Sequence, residues 1–579
     1  QIVLFSILGG HSMAEKPIVQ FFQAGASSLI KHFCEEIDLV NRINRTVVWD
    51  SAQWKVSPGH HVMALVMNTL CGRLPLCRVK EFYRKQDVEV LFGEGVTADD
   101  FNDDALGRTL DRLHDADPKS ILSSLTLESL MTADEPLLFA HADTTSKTLY
   151  GAYDHPKTEG VVHIAHGYNK DGQFDAKQIV IGMVTVHQGT PLFANVCNGN
   201  QDDPTWNADM VETISNALHP DQITKLVYVA DSKFFSRDNV LKAHNQHLKF
   251  ISLVSEQHKL REDVIEYGLN HPSMTDIGTL SDKKDASTYR IQEVPWVYHG
   301  VNLRLVVVYS SQLFDQKKAT YHRGLEKEKQ RLEKEIHSLM KLEFSCENDA
   351  KSAGEVWMKK QQKSPYPLMY TTQTVTRPIK RSERGRPKKT DDVKVETVYT
   401  LAITVSPVPQ HVIAEHEWRL GYFVLATNAK DAALLPTADI LREYKQQSTV
   451  ELRFKFLKDP TFVDALYLKT PERIEALGYL ILLALFIYMT MERRLRLALQ
   501  QKKIRLQPMR GQYTTKPTAR QIFLMLSAIT VMKWYDREDQ KWYRDVQLDD
   551  EMKIVFDLLG FHPASYITLP SESAHQSTS

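Results

Sequence analysis

Two apolar runs, LLFAHAD at 137–143 and KLVYVAD at 225–231, each close on an aspartate. Short apolar runs bounded in this way read as buried strands. The acids that end them, Asp143 and Asp231, then project from the edge of a sheet on rigid support. Further strand-like runs at 178–187 and 190–197 are parted by a Gln188-Gly189 turn, 207–218 reads as a helix and 250–254 as another strand. Strands and helices alternating in this order predict an α/β fold with a mixed sheet. An aspartate at a strand end is also common as a turn or cap residue, so neither acid decides anything alone.

The rest of the chain organises around that unit. Residues 1–130 read as an N-terminal helical domain suited to DNA binding or dimerisation, or as a plain helical scaffold, with a Ser-Pro-Gly break at 57–59 and a dipole-matched helix near 101–113. Residues 131–256 hold the strands just described. A β-rich insertion over 257–415 carries a charged helix at 324–342, whose Leu325, Leu332, Ile336 and Leu339 suit a helical hairpin better than a long coiled coil. Regular α/β structure resumes over 416–505, with a strand at 422–426 and a helix starting near Thr437 and running past Glu451. The apolar run at 479–491 falls short of the roughly 20 residues needed to span a bilayer, so a buried helix and no membrane role are expected. Residues 506–579 read as a small C-terminal unit whose tail, SESAHQSTS, should be disordered.

Composition narrows the class. At 579 residues the chain needs more than one ordinary core, and 42% hydrophobic with 25% charged residues suits a globular protein. A net charge of −1 does not announce a polyanion partner, although basic residues can be gathered locally. Five scattered cysteines without a C-x-x-C pair favour a reducing compartment, and the opening QIVLFSILGGHSM lacks the basic n-region of a signal peptide. The pairs His60/His61 and His163/His166 have no cysteine or H-E-x-x-H company, which argues against zinc.

The helix from Thr437 carries the sharpest pattern. Tyr444, Gln447, Glu451 and Lys458 are spaced 3, 4 and 7 apart, which places them on one helical face. A tyrosine, an amide, a carboxylate and a lysine make a poor apolar seam, and read either as a solvated face or as part of a site. The segment EYKQQSTVELRFKFLKDP resembles the signature helix Tyr-x2-Arg-x3-Glu-x6-Lys of bacterial insertion-sequence DDE transposases. Tyr444, Glu451 and Lys458 match in register, whereas Gln447 stands where the family has arginine. The family's Asp-x-Thr motif is matched by Asp143, Thr144 and Thr145, and its second acid by Asp231 in VYVADSKFFS.

The resemblance implies a ribonuclease-H-like catalytic core interrupted by the β-rich insertion. It implies that Asp143, Asp231 and Glu451 bind two Mg²⁺ or Mn²⁺ ions. These would serve cleavage at insertion-sequence ends and transfer of the 3′-hydroxyl into target DNA. It further implies double-stranded DNA as partner, both terminal inverted repeats and target, a homodimer on that DNA, no ATP, and a cytoplasmic, nucleoid-associated location. Tyr444, Gln447 and Lys458 would contact DNA. So would Arg384, Arg386, Lys388 and Lys389 of RGRPKK, which looks like a minor-groove hook but also reads as a solvated basic loop. Two alternatives are a catalytically inactive DNA-binding relic and a metal-dependent nuclease on the same fold.

Overall fold

The apolar and β-branched runs pair into a nine-stranded mixed sheet. The structure is a computed structural model describing residues 18–132, 137–186, 189–271, 273–281, 284–379, 395–458 and 468–570, without the side chains of 132, 448, 449, 451, 452 and 458. RGRPKK, the opening segment and the tail SESAHQSTS lie outside the described residues.

In chain order the strands are Phe139–Leu149 (β1), Lys177–Val186 (β2), Thr190–Cys197 (β3), Val227–Ala230 (β4), Lys249–Leu253 (β5), Thr275–Thr279 (β6), Thr288–Tyr298 (β7), Val301–Ser310 (β8) and Tyr422–Thr427 (β9). Across the sheet they run β3-β2-β1-β4-β5-β9-β8-β7-β6. The β1–β2 and β2–β3 pairs are antiparallel, whereas β1–β4 and β4–β5 are parallel. Strand β9 lies antiparallel between β5 and β8.

Part of the expected insertion is thus not an insertion in space. Strands β6 to β8 continue the main sheet because β8, VNLRLVVVYS, is buried almost throughout and needs a strand on either side. Only the following segment stands apart. There the helix Ser311–Leu339, capped by Ser310 and starting 13 residues before the expected Gly324, packs Leu332 and Ile336 against Trp357 of the helix Glu347–Lys360. The antiparallel ribbon Leu368–Pro378/Val395–Val405 completes that small core. The helical hairpin is the arrangement the heptad positions predict.

The helices between Ser27 and Thr132 gather around a central helix, Pro471–Lys502, which also packs on β3 and on the helix Asp550–Leu559. The 57–59 break starts a helix: Ser57 Oγ accepts from His60 N at 3.3 Å and Pro58 sits in the first turn. The central helix is far longer than its apolar run. It has the length and hydropathy of a membrane span, yet 89% of its most apolar stretch is buried inside the protein. The chain ends also meet, because Val19–Phe22 pairs antiparallel with Val531–Asp536, which pairs with Lys541–Val546. Arg544 reaches Asp87 and Lys533 reaches Glu89, each at 2.7 Å. The C-terminal unit is therefore fastened to the N-terminal helices.

Candidate active site

Asp143 does not end its strand, as LLFAHAD predicts; β1 continues six residues to Leu149 because Thr144–Leu149 pair with β2. Ala142 is in parallel register with Ala230 of β4. One residue on, Asp143 continues β1 while Asp231 follows the last residue of β4, so the two acids leave a register pair on strands about 4.8 Å apart. At Asp231 the chain turns away: Oδ1 accepts from Lys233 N at 2.9 Å and the carbonyl accepts from Ser252 Oγ at 2.7 Å.

Two further residues, Lys170 and Asp203, stand close to Asp143, and neither stood out in the sequence. Lys170, in the loop after β1, donates from Nζ to the carbonyl and the hydroxyl of Thr144, both at 2.7 Å. The same nitrogen lies 3.6 Å from Asp143 Oδ1 and 3.6 Å from Asp203 Oδ2. Thr144 Oγ1 in turn donates to Asp203 Oδ1. Asp203 opens the helix Asp203–Ala217, which starts four residues before the expected Asn207 because Asp202 accepts from Thr205 N at 2.9 Å and Pro204 fits the first turn. The D-D-P triplet is the signal that could have placed Asp203 at a helix start; nothing local points Lys170 inward.

The helix is pressed onto the sheet by Trp206, which is 1% exposed and lies over Gly182 of β2. A β-carbon at Gly182 would sit 2.1 Å from the indole. Gly182→Ala is expected to lower the unfolding free energy by about 1–3 kcal/mol, read from urea denaturation, and to shift Asp203 relative to Asp143.

Burial pushes the Asp143 carboxyl up to about 6, and the charges of Asp231 and Asp203 act in the same direction against Lys170 and the Thr144 N–H. Burial also raises Asp231, with Asp203 adding to it. Buried like charges of this kind are relieved by a cation.

Glu451, the third acid expected from the sequence, is carried by a helix resting on this part of the sheet. The predicted single helix is divided into Thr437–Gln446 and Ser448–Lys458, with Gln447 at the joint. The second piece, which bears Glu451, packs on β1, β2 and the central helix. The side chains of Glu451 and Lys458 lie outside the described residues. Gln447, expected on a DNA-facing stripe, is instead buried at 9% exposure, and its Nε2 donates to Ala142 O at 3.4 Å, beside Asp143. Tyr444 is half-buried against the apolar face formed by β4, β5 and β9. Two cations near Gln447 in sequence make contacts of their own. Arg453 points inward to Glu492 at 3.7 Å, and Lys445 lies over the rings of Tyr289 and Phe423. Among the described residues, Lys170 stands beside Asp143, and the charges of Lys170 and Lys233 both act on Asp231.

Asp143 and Asp231 offer the hard oxygens a Mg²⁺-sized ion takes. Among the described residues no three His, Cys, Asp or Glu side chains converge closely enough to hold a metal.

Residues 147–487, more than half of the chain, match the family described as the transposase DDE domain. The chain belongs to the DDE transposases. The matched region of this transposase begins just after Asp143 and includes Asp231 and Glu451. Residues 23–127 of the transposase match a family described as a domain of unknown function, DUF4277. No curated protein matches the chain. As a transposase it acts on DNA.

Proposed function

We propose that this transposase cleaves DNA at the ends of an insertion sequence and joins the freed 3′-hydroxyl to target DNA at a ribonuclease-H-like centre formed by Asp143, Asp231 and Glu451. The observation that carries the reading is the parallel register of β1 and β4, which sets Asp143 beside Asp231, with the Glu451 helix packed on β1. The strand order β3-β2-β1-β4-β5, three antiparallel strands followed by two parallel ones, supports the ribonuclease-H-like assignment.

Asp143, Asp231 and Glu451 would hold two Mg²⁺ or Mn²⁺ ions. When bound, these supply a nucleophilic oxygen at neutral pH and charge stabilisation of the in-line displacement. The residues themselves position and screen. Strands β1 and β4 hold the two aspartates rigidly, and the Gln447 amide fixes the joint of the Glu451 helix against Ala142. Lys170 supplies positive charge next to Asp143. Lys458 is assigned to a DNA phosphate and Tyr444 to the DNA near the cleaved strand. The basic segment containing Arg384, Arg386, Lys388 and Lys389 is assigned to duplex DNA, and the enzyme works as a dimer on paired element ends.

Purified protein incubated with Mg²⁺ and DNA carrying the flanking inverted repeats tests this reading. Breaks at the element ends together with joined products are expected. Breaks without joining would make it a nuclease, and binding without breaks a relic.

A further inference from the structure

We propose that Lys170 and Asp203 act as a built-in charge balance for the acidic centre, with Lys170 as a positioning residue that weakens the grip of the DNA-free protein on divalent metal. The inference rests on the metal-centre reading above. The charges of Asp143, Asp231 and Asp203 act on one another in one partly buried place, and among the described residues Lys170 stands between Asp143 and Asp203 while Lys233 acts on Asp231 from its own turn. Its position is built. The Lys170 backbone N–H donates to Ser146 Oγ at 2.9 Å, and the preceding Asn169 donates from Nδ2 to Thr148 Oγ1 at 2.9 Å, so the loop is tied to the strand that carries Asp143. The ammonium spends hydrogen bonds on both oxygens of Thr144 at 2.7 Å and stands 3.6 Å from each of the two carboxylates.

This geometry differs from a lysine filling the metal site. The ammonium is seated on Thr144 and can stay there while Asp143 binds an ion, as a fixed positive charge about one ion-pair distance away. Asp203 holds the same arrangement from the other side through the Thr144 hydroxyl. A fixed positive charge lowers cation affinity at Asp143, and a fixed negative charge raises it. The two residues therefore have opposite effects on metal binding although both belong to one hydrogen-bonded unit.

The test is Mn²⁺ binding to the full chain without DNA, followed by electron paramagnetic resonance titration, with thermal unfolding in EDTA and in Mn²⁺ alongside. Lys170→Met is expected to bind Mn²⁺ roughly tenfold more tightly than wild type. It should also unfold earlier in EDTA and be stabilised more by Mn²⁺. Lys170→Arg should resemble wild type, and Asp203→Asn should bind Mn²⁺ several-fold more weakly. A purely structural lysine would lower thermal stability equally with and without Mn²⁺ and leave affinity unchanged or reduced, which overturns the proposal. Asp231→Asn separates the two readings. If it binds Mn²⁺ as wild type does, the metal centre itself is wrong. If it loses Mn²⁺ while Lys170→Met matches wild type, only the charge balance is wrong.

Discussion

Asp143→Asn is expected to reduce cleavage of element-end DNA by at least about a thousandfold, equivalent to roughly 4 kcal/mol of transition-state stabilisation, while making the metal-free protein more stable. The first effect follows from removing a charged oxygen ligand from a site whose chemistry depends on metal-borne charge. The second follows from burial. The carboxyl titrates near 3.8 in the unfolded chain and at about 6 in the fold. Between these values the folded protein holds a proton that the unfolded chain has released, so stability falls as pH rises through the window. Above pH 6 the ionised group costs the native state about 3 kcal/mol, and below pH 4 it costs nothing. Asparagine removes that cost. Urea denaturation in EDTA should show the variant more stable at pH 7.5 and level with wild type near pH 4. Lower stability at pH 7.5 would mean that Asp143 is a structural residue.

The second large effect is expected at Glu492, which faces Arg453 on the helix that bears Glu451. Glu492 lies in the central helix at 3% exposure, accepts from Ala519 N at 2.8 Å, and faces Arg496 at 2.9 Å and Arg453 at 3.7 Å. Glu492→Ala takes a buried carboxylate away from two guanidinium groups and leaves the Ala519 N–H without the acceptor it has in the native protein. Breaking a buried pair from one side typically costs about 3–5 kcal/mol, so Glu492→Ala should shift the urea midpoint by that amount. Arg453 belongs to the helix that bears Glu451, so cleavage should fall even at temperatures where the variant remains folded. Glu492→Gln, which keeps an acceptor for Ala519, should lose less. Equal stability of Glu492→Ala and wild type would show that Arg453 does not fasten this helix to the core.

How much of this could be read from the chain depended on distance. Strands β1 to β5 were legible because each contains a local apolar run, although the run that closes on Asp143 hid the last six residues of β1, which are polar in part and are held by pairing with β2. The helix of Tyr444 and Glu451 was legible through its spacing, but its division at Gln447 was not. That joint is made by Gln447 meeting the backbone of β1, a contact no local pattern encodes. Lys170 and Asp203 were hidden for the same reason. Each lies in a polar stretch that reads as loop or cap, and they become partners only when the loop after β1 and the start of the Trp206 helix meet over Thr144. The pairing of Val19–Phe22 with Val531–Asp536 joins opposite ends of the chain, and β6 to β8 extend the sheet only because β9, more than a hundred residues later, lies between them and β5. Hydrophobic period reports which segments are buried, not which distant segments they meet.

If Asp143, Asp231 and Glu451 bind metal as one centre, end cleavage responds to the softness of each of the three ligands. Each acid is replaced in turn by cysteine, and end cleavage is measured with Mg²⁺ and with Mn²⁺. A thiolate suits the softer ion better than Mg²⁺. Each variant should therefore be inactive with Mg²⁺ and recover measurable cleavage with Mn²⁺. A folded Asp143→Cys, Asp231→Cys or Glu451→Cys protein that cleaves as well as wild type with Mg²⁺, or that Mn²⁺ leaves inactive while it activates the other two, would contradict the claim for that residue.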